Sequence, residues 1–287
     1  MVTLDEATSR ALAGDARDLY ALLARASGLP GERANLPLAR TFAQACAADA
    51  RGAALAEQLA RISADEAPGG TSLEFLPVCG VLAAGAVAAR EKTPRLARIA
   101  LLRVIHDASD DLRFRVREAA PEALAHVGAR AGEALLDDVD DFLDGYFHAA
   151  ALLDALTEQA WLARVEDGAR VASIVTRAFA LLDASPRAAA RYPGYKALVE
   201  SLERSIAPLA LKFGEPVIEA AAAFAKSADP HFRELAERAL ANKKLRARFP
   251  DEIRRASGEV ASAKKPPRDP RSLPRPTRRR GAKRAPR

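Results

Sequence analysis

In VREAAPEAL, beginning at Val116, and in FRELAERAL, beginning at Phe232, an apolar residue is followed by Arg, then Ala at +4, Ala at +7 and Leu at +8. Those positions fall on one side of a helix, so the spacing buries a stripe and turns the remaining face to water. The same rhythm runs through most of the chain. It predicts helices over roughly 4–13, 16–27, 37–48, 52–63, 73–89, 94–107, 112–128, 131–144, 146–163, 167–184, 194–213, 215–227, 230–247 and 250–257. Breaks fall at GLPGE (28–32), APGGTS (67–72), SPRAA (185–189), RYPGY (191–195) and ADPH (228–231). No segment alternates apolar and polar residues as a half-buried strand does. Ala and Leu dominate, Val and Ile are sparse, and aromatics are only 5%. Helix loses least with such residues, and strand gains least. The expected fold class is all-α, with short links that favour antiparallel neighbours.

With 287 residues and 49% apolar content, the chain has enough material for a sizeable core, as one elongated domain or two smaller ones. The longest apolar run, around Phe75–Ala89, is interrupted by Pro and Gly and is too short to span a bilayer, so a buried helix is expected. Cys46 and Cys79 sit in apolar surroundings without a C-x-x-C spacing. They read as buried small hydrophobes in a reducing compartment. The opening MVTLDEATSR has neither a basic start nor an apolar run, and a cytoplasmic location is expected.

Charge is unevenly distributed. Residues from 241 onward carry 17 Lys/Arg and 4 Asp/Glu, whereas the first 240 carry 27 and 34. This is an acidic body with a basic end, divided as a helical body over 1–257 and a tail over 258–287. The tail is rich in Pro and Arg and has too little apolar surface to offset the entropy of ordering, so it is expected to be disordered. Its cations are Lys264, Lys265, Arg268, Arg271, Arg275, Arg278, Arg279, Arg280, Lys283, Arg284 and Arg287, with Asp269 the one acid from 264 onward. A nucleic acid or other polyanion is the partner such a segment implies, read through phosphate neutralisation.

The two matched stripes lie 116 residues apart, close to three units of about 39 residues, which is the length of a two-helix repeat. DPHFRELAERAL (Asp229–Leu240) resembles the inner helix of HEAT-like repeats, which commonly opens Asp-Pro-x-apolar-Arg. DDLRFRVREAAPEALAHVG (Asp110–Gly128) is similar in its helical part, but lacks the Asp-Pro opening and places Pro121 inside the helix, where a kink is expected. The resemblance implies a HEAT-like α-solenoid of antiparallel helix pairs. It also implies that Asp229 caps its helix or pairs with Arg233, and that Arg117 and Arg233 are structural.

LLDDVDDFLDGYF (Leu135–Phe147) is the most acidic stretch. On a helix, Leu135, Leu136, Val139, Phe142 and Leu143 form a buried stripe, and Asp137, Asp138, Asp141 and Asp144 share the opposite face. That face is expected to be solvated, to hold a cation or basic peptide, or to hold the tail in cis. His106, His126, His148 and His231 show no spacing with a third ligand, and no metal site is expected. No phosphate-binding glycine loop and no nucleophile elbow occurs, so no cofactor or catalytic residue is assigned. Some HEAT-like proteins resemble glycosylases for alkylated bases. Trp161, with Asp154 seven residues earlier, is the only pairing here that invites the comparison, and Trp161 reads more simply as a packed residue.

These observations lead to a non-catalytic scaffold. Its body meets a protein partner and its tail contacts nucleic acid without sequence preference. The alternatives are an adaptor whose tail is incidental, and a HEAT-like DNA glycosylase.

Overall fold

The computed structural model describes residues 2–227 and 229–263. Its first half is punctuated by one local device. Asp15, Asp49 and Asp111 each accept the backbone N–H of the arginine two residues on, and the same carboxylate binds that arginine's guanidinium. A short carboxylate folded back on the next residues halts the chain before a helix. Helices begin just after each turn: α2 follows Asp15, α4 follows Asp49 and α7 follows Asp111. In chain order the helices are α1 Leu4–Leu12, α2 Arg17–Ala26, α3 Leu36–Ala48, α4 Gly52–Ala60, α5 Phe75–Ala88, α6 Arg95–Ser109 and α7 Phe114–Ala131. They continue as α8 Tyr146–Thr157, α9 Gln159–Leu162, α10 Gly168–Asp183, α11 Pro193–Phe213, α12 Glu215–Ala223, α13 Pro230–Leu240, α14 Lys243–Arg248 and α15 Pro250–Ser262. No strand occurs among the described residues, and the all-α expectation holds.

Packing passes along the chain. The α5 helix is wrapped by α3, α4, α6 and α7; α7 packs on α8, α8 on α11, and α10 and α11 on α12, which meets α13 and α15. Every residue of α5 is buried, as the uninterrupted apolar run predicts. The stripe at Val116, Ala120, Ala123 and Leu124 is buried, as are Phe232, Ala236 and Leu240 in α13. The α7 helix runs through Pro121. Asp229 caps α13 by accepting the His231 N–H at 2.9 Å, while Arg233 pairs with Glu237 and donates to the Ala263 carbonyl.

Four sequence expectations change. The helix over 131–144 is replaced by two 3₁₀ segments, Gly132–Asp137 and Asp140–Leu143. Leu136, Val139 and Phe142 are buried at intervals of three residues, and with Leu135 and Leu143 they also fit a 3.6-residue stripe, so burial alone is compatible with either winding. The 146–163 helix breaks at Glu158, whose backbone is extended. The 230–247 helix breaks at Asn242, whose side chain caps α14 by accepting from Lys244 and Leu245. Helix α15 runs past position 257 to Ser262, with Val260 buried. Among the described residues no helix is long and apolar enough to cross a membrane.

Candidate functional site: a cationic cavity

The ends of α5 and α7 and the segment after α9 border an open surface cavity of about 760 Å³, lined by Arg90, Lys92, Arg98, Arg130 and Arg164 with one acid, Glu91. Local folding places each cation. Arg98, on α6, donates to the Ala88 carbonyl at 3.3 Å, so it satisfies a carbonyl left open by the end of α5. Arg90 donates to the Asp49 carbonyl at 3.0 Å, just beyond α3. Arg130 occupies the last turn of α7, where a cation complements the helix dipole. The chain then turns at Gly132, with φ at 64°, and Arg164 lies against that glycine.

None of these five cations makes a salt bridge among the described residues. Many other arginines of the body are paired with carboxylates, as in Arg40–Glu122 and Arg204–Asp154, while others, such as Arg25, Arg33 and Arg117, make no salt bridge among the described residues. His126 also lines the cavity. Desolvation, with the Arg130 charge adding to it, lowers its pKa against the pull of Glu122. A concave surface with several cations and little compensating acid concentrates positive potential. Arginine forks in such a place bind phosphate or carboxylate oxygens by paired charge-assisted hydrogen bonds. Sequence reasoning missed this site, although AAREKTPRLAR (Ala88–Arg98) already holds three of its cations, Arg90, Lys92 and Arg98, the fourth, Arg95, being paired with Asp138. Arg130 and Arg164 join them only through the fold.

A second depression, of about 310 Å³, lies between α7, α8 and α11 and is lined by Phe114, Arg117, Phe147, Asp154, Glu200 and Arg204 among others. The Arg117 guanidinium sits 4.6 Å from the Phe147 ring centre and 5.9 Å from that of Phe114. Phe114 is 61% exposed and the nearby Leu112 is 87% exposed, an apolar edge on an otherwise polar surface.

The acidic stretch is not a free face. Asp137 pairs with Arg170, Asp138 with Arg95, Asp140 with Arg177 and Asp141 with Arg103. Arginines of α6 and α10 thus neutralise it, which removes the expected dock for a basic peptide or for the tail. Asp144 meets His106 and His148 instead, with its Oδ1 at 3.2 Å from His106 Nε2 and 2.7 Å from His148 Nδ1. The fold thus brings together three polar side chains that spacing along the sequence did not link, with one ligand-type atom from each within 4.8 Å of the others. Burial acts to raise the Asp144 pKa, but the hydrogen bonds and charges of the two histidines outweigh it and the pKa is lowered.

Trp161 is fully buried. Its indole N–H donates to the Gly132 carbonyl at 3.1 Å, and the ring packs against Gly128. Asp154 is bound to Arg204 at 2.9 Å in the other depression. The two residues do not form an open base-binding cleft. The eleven tail cations from Lys264 to Arg287 lie outside the described residues. Neither a protein-family model, nor a curated protein, nor a solved structure matches the chain.

Proposed function

We propose that the protein is a non-catalytic, HEAT-like solenoid scaffold that binds nucleic acid, with the cationic cavity as a fixed phosphate contact and the tail as a diffuse one. The observation that carries this reading is the cluster of Arg90, Lys92, Arg98, Arg130 and Arg164 without salt bridges among the described residues, on a body whose first 240 residues are net acidic. A concave group of cations focuses positive potential, and phosphate oxygens supply the matching charge. Chain-wise packing from α5 through α7, α8 and α11 to α12 supports the solenoid arrangement. The exposed Leu112 and Phe114 beside Arg117 support a protein partner at the second depression.

The test measures binding of duplex DNA and of single-stranded RNA by four proteins. These are the full chain, a chain ending at Ala263, the charge reversal Arg130→Glu/Arg164→Glu, and the combination. The reading expects each change to weaken binding and the combination to weaken it most. Equal binding by the full chain and the charge reversal would remove the cavity from the interface. No binding by the full chain would overturn the nucleic-acid reading.

A further inference from the structure

We propose that His106, Asp144 and His148 form a binding site for a divalent transition-metal ion of the zinc class, tying α6 to the start of α8. The three residues come from separate segments: His106 from the last turn of α6, Asp144 from the end of the second 3₁₀ segment and His148 from the first turn of α8. One ligand atom from each lies within 4.8 Å of the other two. Tetrahedral ligands on zinc stand about 3.3 Å apart when each bond is about 2.0–2.1 Å. The separation of 3.2 Å on the His106 side of Asp144 Oδ1 is close to that spacing, and the 2.7 Å separation on the His148 side widens to reach it. The imidazoles stack with their centres 3.8 Å apart and their planes 24° apart. Lone pairs on stacked rings run side by side, so an ion entering at their common edge tilts the rings open to converge on it.

The surroundings bear on which ion the site would take. The other nitrogen of His106, Nδ1, lies 3.7 Å from Asp107 Oδ1, beyond hydrogen-bond reach, so Asp107 adds negative charge beside the ring without holding it. The Asp141 carbonyl oxygen lies 3.2 Å from His106 Nε2, a hydrogen bond that is given up when that nitrogen loses its proton to take an ion. The Asp141 carboxylate is neutralised by Arg103, which leaves Asp144 and Asp107 as the two negative charges a dication would balance. Phe142 packs edge-on against the His106 ring and closes one side. Asp144 is 57% exposed while the histidines are 17% and 14% exposed, so the free coordination positions face solvent. Two imidazoles and one carboxylate suit zinc, cobalt or nickel, and hard ions such as magnesium and calcium prefer all-oxygen sets.

The test uses the full chain with labelled histidine, titrated with Zn²⁺ and separately with Mg²⁺. The chain has four histidines, so each imidazole is followed individually by nuclear magnetic resonance. The expected result is that Zn²⁺ shifts His106 and His148 at one ion per chain, leaves His126 and His231 in place, and raises the thermal midpoint in a concentration-dependent way. Mg²⁺ should do neither. Asp144→Asn should weaken Zn²⁺ binding by about tenfold or more, and His148→Gln should abolish the shift at His106. A titration in which the His106 and His148 signals do not move, or move no more than those of His126 and His231, would overturn the site and leave a hydrogen-bonded cluster only. The wild-type spectra decide this even if a variant fails to fold.

Discussion

Arg113 shows how one side chain can hold two distant segments. It is 5% exposed, and its guanidinium binds both oxygens of Asp111 and the carbonyls of Ile62, Ser63 and Ala67. The loop after α4 is thereby fixed to the start of α7. Lysine lacks the planar fork that makes these bonds together. Arg113→Ala should cost roughly 3–5 kcal/mol, because Asp111 is left partly buried without its partner; denaturant unfolding measures it. Asp111 gives a pH signature. Burial acts to raise its pKa, and the Arg113 hydrogen bonds and charge outweigh that, so the folded pKa lies below 3.8. A depressed carboxylate stabilises the fold above its unfolded pKa and loses that contribution as pH falls through its folded value. Asp111→Asn should therefore be less stable than wild type at neutral pH, with the gap narrowing as pH falls below about 4. An unchanged gap in acid would contradict this. The sequence displays the Asp-x-Arg pairs openly at 15–17, 49–51 and 111–113. Their shared turn is not legible there, because charged pairs two residues apart look like ordinary surface. At the first two pairs, side-chain and backbone hydrogen bonds from the arginine hold Asp15 and Asp49 down to about 2.

Among the helices, α5 is the most tightly enclosed. A Cβ on Gly80 would meet the Ala60 backbone N at 2.2 Å, and one on Gly85 the Ala123 backbone O at 2.7 Å. These glycines exist for close approach. Alanine at either position would favour the helix by about 1 kcal/mol in isolation. Overpacking against backbone costs about 1–3 kcal/mol or more, so Gly80→Ala should destabilise the protein despite its helix propensity. A raised unfolding midpoint would refute the packing argument. The same enclosure controls the thiols. Burial pushes Cys46 up to about 12 and raises Cys79 well above its ordinary value, and only the thiolate reacts. Labelling of both by a thiol reagent should follow global unfolding rather than precede it. Helices with a plain apolar stripe, such as α3, α10 and α11, are legible from spacing alone. The 131–144 segment is not, because its buried residues satisfy both a 3.6-residue and a 3-residue period. Cavity cations and the His106–Asp144–His148 group are hidden for a different reason: each joins segments that spacing along the chain does not bring together.

Over the whole molecule, charge is sorted by what answers it. The acids of 137–141 are answered by arginines of α6 and α10, the cavity cations by no carboxylate among the described residues, and the eleven cations from 264 onward by Asp269 alone in sequence. Residues 1–263 hold 33 Lys/Arg and 37 Asp/Glu, so a polyanion is repelled by the body on average and admitted where cations are left over. The salt dependence of binding separates the cavity from the tail. Each phosphate neutralised contributes about −0.9 to the slope of log K against log salt on duplex DNA, and about −0.7 on single strands. If about six tail cations engage at once, the tail alone gives a slope near −5 on duplex and near −4 on single strands, both as rough estimates. The chain ending at Ala263 should keep only the shallower slope of the cavity, about −2 to −4 for roughly two to five cations. Replacing Arg278, Arg279 and Arg280 by Ala should make the duplex slope shallower by about one unit for each phosphate that is no longer neutralised. Preference among base sequences should change little, since phosphate neutralisation carries no base information. Arg130→Glu/Arg164→Glu should act differently. It replaces two fixed attractions by repulsion, so affinity should fall at every salt concentration while the slope from the tail persists. Slopes that are identical in all these proteins would show that neither the tail nor the cavity touches phosphate.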